Sequence, residues 1–153
     1  RTDLAYKLLL KDTFPSWLYS VKMGATTMWE RWDGMKPDGS FATPEMNSFN
    51  HYAYGAVGDW MFSTVAGIRP DENEPGYKHI IFEPKPNKEL GYAKARILTK
   101  NGEIISSWEY KGDSNLCEFS FTIPDGSYAT LYLDNEEYEF VSGTYTTEFE
   151  YNV

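Results

Sequence analysis

The stretch SFNHYAYGAVGDWMFSTVAGIRPDENEPGYKHIIFEP, Ser48–Pro84, changes its period partway along. Phe49, Tyr52, Ala53, Ala56, Val57, Trp60, Met61, Val65 and Ile68 recur at helical spacing, and Thr64 fits the same register. That spacing predicts one long helix, capped by Asn47 or Ser48 and stopped by Gly67 and Pro70. Gly55 and Gly58 each weaken such a helix by about 1 kcal/mol relative to Ala, so close approach of another backbone or a ligand is expected there. Beyond RPDENEPG, the residues YKHIIFEP read as a strand. Helices therefore give way to strands in this stretch, and the chain divides into residues 1–72 and 73–153.

Working upstream, Asp3 is placed to cap a segment carrying Leu4, Ala5, Leu8 and Leu9 at helical spacing. In FPSWLYSVKMG, Pro15 suits a first helical turn and Gly24 a C-terminal stop. Two irregular loops follow, GATTMWERWDG and MKPDGSFATPEMN. Downstream, YAKARILT and EIISSWEY flank a hairpin signal centred on Asn101-Gly102. Cys117, Phe119, Phe121 and Ile123 alternate with Leu116, Glu118, Ser120 and Thr122, which predicts a half-buried strand. SYATLYL, EYEFVSG and YTTEFEY bring the total to about seven strands, the count and spacing of a small antiparallel sandwich.

Composition excludes several classes. With 41% hydrophobic residues in 153, the chain can bury a core. Its net charge of −9 and lack of a basic cluster make nucleic acid and anionic membrane surfaces poor partners. No apolar run is long enough to span a bilayer. The single cysteine, Cys117, excludes an internal disulfide and a cysteine-built metal site. His51 and His79 have no carboxylates at ligand spacing, so no metal or cofactor is expected. The compartment is left open, since RTDLAYKLLL reads as the middle of a helical protein. Aromatics reach 17%, a surplus that suits sugar-stacking surfaces and sandwich cores alike.

The chemistry concentrates in two places. Glu30 stands between Trp29 and Trp32, where two indoles offer flat faces and a partly dry environment. A carboxylate so placed serves as general acid or base in glycosidic cleavage, or else it is a surface Glu beside Arg31. His51 is expected in the first turn of the long helix, where the dipole disfavours the imidazolium. It reads either as a neutral hydrogen-bonding group or as a capping and packing residue. Asn50 next to it either binds hydroxyls or caps the helix. His79 reads as structural within its strand, and Asp71, Glu72 and Glu74 as a solvated turn. Asp134, Glu136 and Glu137 read as another such turn.

In order, GATTMWERWDG, SFNHYAYGAVGDWMF and AGIRPDENEPGYKHIIFEPKP closely resemble motifs of bacterial α-L-rhamnosidases of glycoside hydrolase family 78. FPSW and YAKARILTKNGEIISSW extend the likeness to about residue 110. The resemblance implies the terminal helices of an (α/α)₆ barrel followed by a β-sandwich, and inverting hydrolysis of terminal α-L-rhamnosides. Such inversion needs an acid and a base about 6.5–9.5 Å apart, with water between the base and the sugar. By resemblance Glu30 is the general base, His51 contacts rhamnose, and Trp32 and Trp29 line the apolar side of the sugar site. The family's general acid lies upstream of this motif, and nothing in residues 1–29 matches it; Asp3 and Asp12 sit in ordinary helical contexts. The resemblance therefore implies the C-terminal portion of a glycosidase, inactive by itself. Its partners would be rhamnose-containing glycosides or polysaccharides and the missing N-terminal part of the catalytic domain. The rival readings are a carbohydrate-binding sandwich module and a sandwich that only buttresses the barrel, and the alternation of its aromatics favours the buttress.

Overall fold

The computed structural model describes residues 1–151. The chain forms two compact units, Arg1–Gly58 and one beginning at Asp59. In the first, helix α1 (Thr2–Leu10) buries Tyr6. Asp3 does not cap it: the helix starts two residues earlier than expected, and the Asp3 carboxylate instead accepts from Nε and Nη2 of Arg1. Helix α2 (Trp17–Lys22) is capped by Ser16, whose Oγ accepts from Tyr19 N at 3.0 Å. Pro15 thus stands just outside the helix. Gly24, in the left-handed region at φ 87°, ends it as expected, donating to the Val21 carbonyl.

The long helix is a shorter and mixed one. A 3₁₀ turn (Ala53–Ala56), helix α3 (Val57–Trp60) and a wide π-type turn (Met61–Val65) follow one another. The start moves five residues downstream of Ser48 because the expected caps are engaged elsewhere. Asn47 Nδ2 donates to the Gly34 carbonyl at 2.8 Å, and Ser48 Oγ accepts from Asn50 N. Gly55 and Gly58 have open space where a Cβ would stand, so nothing among the described residues approaches them closely.

The end of this run is tightly specified. Gly67 has φ 69°, and a Cβ there would meet Pro84 N at 2.1 Å. Only glycine permits that approach, and the chain turns at once into strand β1 (Ile68–Pro70). Ile68 therefore belongs to a strand rather than to the helical stripe, which raises the strand count from seven to eight. The carbonyls of Val65 and Ala66 accept from Trp108 Nε1 and Ser106 Oγ, each at 2.6 Å. These side chains take the place of the next helical turn as hydrogen-bond partners.

The remaining strands are β2 (His79–Phe82), β3 (Tyr92–Thr99), β4 (Gly102–Tyr110), β5 (Leu116–Ile123), β6 (Tyr128–Leu133), β7 (Glu136–Phe140) and β8 (Gly143–Glu150). They make two four-stranded sheets, ordered β1-β2-β6-β7 and β3-β4-β5-β8. All pairings are antiparallel except β2 with β6, which run parallel with Ile80 opposite Ala129. The β3–β4 hairpin forms as expected, with its turn one residue early: Lys100 and Asn101 turn, and Gly102 already pairs with Thr99. Asp134 and Asn135 both adopt positive φ, the geometry of a two-residue hairpin loop. Glu136 and Glu137 lie beyond that turn, in β7.

Alternation sets the core. Cys117, Phe119, Phe121 and Ile123 face inward, and Phe121 of one sheet meets Phe82 of the other at 4.7 Å between ring centroids. Trp108, Ile104, Ile80 and Leu131 complete it. Burial pushes the Cys117 thiol up to about 11. His79 is structural, and the acidic turn beside it is not merely solvated. His79 bridges Asp71 and Thr130 through its two ring nitrogens, each at 2.8 Å, and stacks on Tyr128 at 4.4 Å. Glu74 accepts from the Tyr128 hydroxyl.

Two outcomes follow for stability. Gly67→Ala combines a left-handed φ with overpacking against Pro84, and should cost about 2–4 kcal/mol in urea unfolding. The Asp71 carboxyl is held low by the Asn73 backbone N–H and then by His79, and that of Glu74 by the Tyr128 hydroxyl and then by Lys78. A carboxyl with a lowered folded pKa stabilises above its unfolded value, about 4, and loses that contribution as pH falls through the folded value. Acid titration of thermal stability should therefore show a decline below pH ~4 that is shallower in His79→Gln, where Asp71 loses a partner.

Candidate functional site

In the first unit, the segments 27–30 and 48–51 lie side by side. Glu30 N donates to the Ser48 carbonyl at 2.9 Å, and His51 N donates to the Met28 carbonyl at 2.8 Å. Thr27 Oγ1 donates to the Phe49 carbonyl. These bonds bring Glu30, Asn50 and His51 into one short antiparallel pairing, although Ser48 lies 18 positions after Glu30 in the chain.

Glu30 is half-buried, and its Oε2 accepts from Ser48 N at 2.9 Å. One oxygen is thus anchored, and the other, Oε1, has no hydrogen bond among the described residues. Arg31 does not pair with Glu30 by hydrogen bond. It forks onto Asp33 through Nε and Nη2, each at 3.0 Å, and this guanidinium holds the Asp33 carboxyl below its ordinary range.

His51 does not sit within a helical turn; it precedes the 3₁₀ turn. Its Nδ1 accepts from Ala53 N at 3.3 Å, so the proton of the neutral ring is on Nε2. Asn50 is exposed, with its backbone N–H tied to Ser48 Oγ at 3.2 Å. It does not cap a helix.

The two indoles have different environments. Trp29 is 4% exposed and packs edge-to-face on Phe49 at 5.1 Å, so most of its surface is core. Trp32 is half-buried and stacks on Tyr54 at 4.6 Å, with Trp17 edge-on at 5.6 Å. Trp17 Nε1 in turn donates to the Tyr54 carbonyl at 3.1 Å. Trp17, Trp29 and Trp32, with Ser20 and Thr27 among others, line a cleft of about 300 Å³. The Trp32 N–H and the Ser20 hydroxyl are buried there without a partner among the described residues.

Sequence reasoning missed the residues that hold the loop. Ser48 and Asn47 look like helix caps, yet one anchors Glu30 and the other holds the Gly34 carbonyl. Gly34 is buried so tightly that a Cβ would lie 2.7 Å from Asn47 Oδ1 and 3.3 Å from the Phe49 ring. The local signal was the glycine that closes WERWDG. Among the described residues no cluster of His, Cys, Asp and Glu is placed to hold a metal ion. No helix is long and apolar enough to cross a membrane. Gly34→Ala should separate the two segments while leaving the sandwich folded. Limited proteolysis should then cut within 24–52 several times faster than in the parent, with no added cleavage beyond residue 77.

Residues 1–65 match the family described as bacterial α-L-rhamnosidase 6 hairpin glycosidase domain, and residues 67–148 match the bacterial α-L-rhamnosidase C-terminal domain. An α-L-rhamnosidase of Streptomyces avermitilis is 42% identical over 146 residues, covering 95% of this chain and 14% of that protein. One from Formosa agariphila is 42% identical over 144 residues, covering 89% and 15%. Among solved structures, the Streptomyces avermitilis enzyme complexed with L-rhamnose superposes with a TM-score of 0.84 at 36% identity, covering 97% of this chain and 16% of that one. The Aspergillus terreus α-L-rhamnosidase gives 0.88 at 36% identity, covering 96% and 17%. The chain thus spans about a seventh of the length of these curated relatives. Both halves of the chain match parts of one kind of protein, in the same order, and the chain belongs to the bacterial α-L-rhamnosidase family.

Proposed function

We propose that this chain supplies the general base of an inverting glycoside hydrolase that removes terminal α-L-rhamnose. Residues 1–72 contribute helices and mouth loops to an (α/α)₆ barrel and 73–153 are the sandwich domain, whose first sheet also takes in β1 from the end of the preceding part. The observation that carries the reading is the Glu30 carboxylate. Its Oε2 is fixed by Ser48 N, while its Oε1 is uncommitted.

In this reading, Glu30 Oε1 takes a proton from a water as the water oxygen bonds to the anomeric carbon. The bond from that carbon to the leaving oxygen breaks on the opposite face. An acid from the part of the barrel outside this chain gives the leaving oxygen its proton, so charge and protons balance. His51 donates Nε2–H to a rhamnose hydroxyl, and Asn50 offers its amide to another. Trp32 forms an apolar wall for the sugar ring. Trp29 contributes the edge that its 4% exposure leaves, and otherwise supports the loop from below. Substrates are rhamnose-capped glycosides or polysaccharides. The sandwich serves chiefly as a buttress, since its inward aromatics are core residues.

The base role is tested in a protein that carries the rest of the barrel. Glu30→Gln keeps an acceptor for Ser48 N but cannot take a proton from water. It should lower kcat on an aryl α-L-rhamnoside by at least about 10³-fold, with rhamnose binding changed less than about threefold. Near-parental turnover would remove Glu30 from the role. The 153-residue chain by itself should hydrolyse the same substrate no faster than buffer.

A further inference from the structure

The second unit carries a groove of about 610 Å³ on the outer side of the β1-β2-β6-β7 sheet. Strand register explains what reaches it. Arg69, Ile81 and Thr130 share one row across β1, β2 and β6, on the face opposite Ile80, Ala129 and Leu131; Arg69 and Ile81 line the groove, while Thr130 is buried against His79. Tyr132 lies two residues along β6 on that outward face and is 37% exposed. Phe62, 43% exposed, and Tyr77 add two further rings to the lining.

Two features separate this groove from an ordinary solvated sheet face. The first is conformational. Tyr77 has φ 60°, uncommon for an aromatic residue, and its carbonyl is held by Ser127 Oγ–H at 2.9 Å. The second is the state of its polar groups. Arg69 is paired with Glu83, and Asp71 with His79. The carboxylates of Asp59 and Glu72 and the hydroxyls of Tyr77 and Tyr132 belong to residues that also line the groove, and none of these side-chain groups has a hydrogen bond or ion pair among the described residues. Burial, and then the Asp59 charge, push the Tyr77 hydroxyl pKa up.

We propose that this groove binds a neutral oligosaccharide without cleaving it. The rings present apolar faces for the C–H sides of pyranoses. The free carboxylates accept hydrogen bonds from sugar hydroxyls, and such charge-assisted bonds are the stronger kind. Asp59, Asp71 and Glu72 outnumber Arg69, so an anionic polymer is repelled and a ligand rich in neutral donors is favoured. A compact cation would leave the two tyrosine hydroxyls without use, whereas a sugar chain engages them. The choice of a saccharide rests on the glycosidase reading above; the groove geometry does not.

The test is calorimetric titration of the 153-residue chain with a neutral rhamno-oligosaccharide and, separately, with putrescine. Saturable oligosaccharide binding should weaken about tenfold in Tyr132→Ala and in Asp59→Asn, and survive Glu30→Ala. Tyr132 is exposed, so its variant should unfold at the parental temperature, and Tyr132→Phe, which keeps the ring and loses the hydroxyl, should weaken binding by less than Tyr132→Ala does. Absence of saturable binding would overturn the proposal. So would binding that Glu30→Ala abolishes and Tyr132→Ala leaves intact. Tighter binding of putrescine would overturn the saccharide assignment. Because Glu30 is varied separately, failure of the base assignment leaves the groove result readable, and the reverse also holds.

Discussion

The structure depends on how the helical run is ended. The last carbonyls of a helix need partners, and burying them unpaired costs about as much as a lost hydrogen bond each. Here Trp108 and Ser106, from the middle of β4, donate to Val65 and Ala66. Gly67 then lets the backbone pass within van der Waals distance of Pro84 and enter β1. If those donors were absent, the wide turn at Met61–Val65 would have to continue as helix or expose its carbonyls. Trp108 is 1% exposed, so the same indole that fills the sandwich core also terminates the helix. One residue type with a large apolar body and a single N–H donor serves both needs.

The strands were legible because burial on one face leaves a period of two. Cys117 to Ile123 shows it without interruption, and the structure follows it residue by residue. The parallel pairing of β2 with β6 was not legible, since alternation says which face a residue takes and nothing about which strand lies beside it. The helix was legible in its apolar spacing and illegible in its limits. Ile68 continues a 3.6-residue stripe by coincidence of position, while Gly67 has already turned the chain. Ser48 and Asn47 have the chemistry of caps, but tertiary partners compete for the same atoms and win.

The site shows a similar division. Glu30 stood out because an ionisable group between two indoles asks for an explanation, and local composition carries that signal. That its carboxylate would be held by a backbone N–H at Ser48 is a non-local fact with no local trace. Trp29 and Trp32 look equivalent in the sequence, yet Trp29 is buried edge-on against Phe49 while Trp32 is half-buried between Tyr54 and Trp17, and both sets of partners lie far along the chain or outside the motif. The acidic run at Asp71–Glu74 reads as a solvated turn, and the stacked His79–Tyr128 pair that recruits it comes from strands about 50 residues apart.

Cys117 has a practical consequence. It is the chain's single cysteine, fully buried, and that burial pushes its thiol up to about 11, the opposite of the lowered value a reactive thiol has. The protein is therefore a ready background for thiol-directed probes. A cysteine introduced on an exposed loop would react with a maleimide or a spin label while Cys117 stayed silent. Distances between the two compact units could then be read in solution without first removing a native residue.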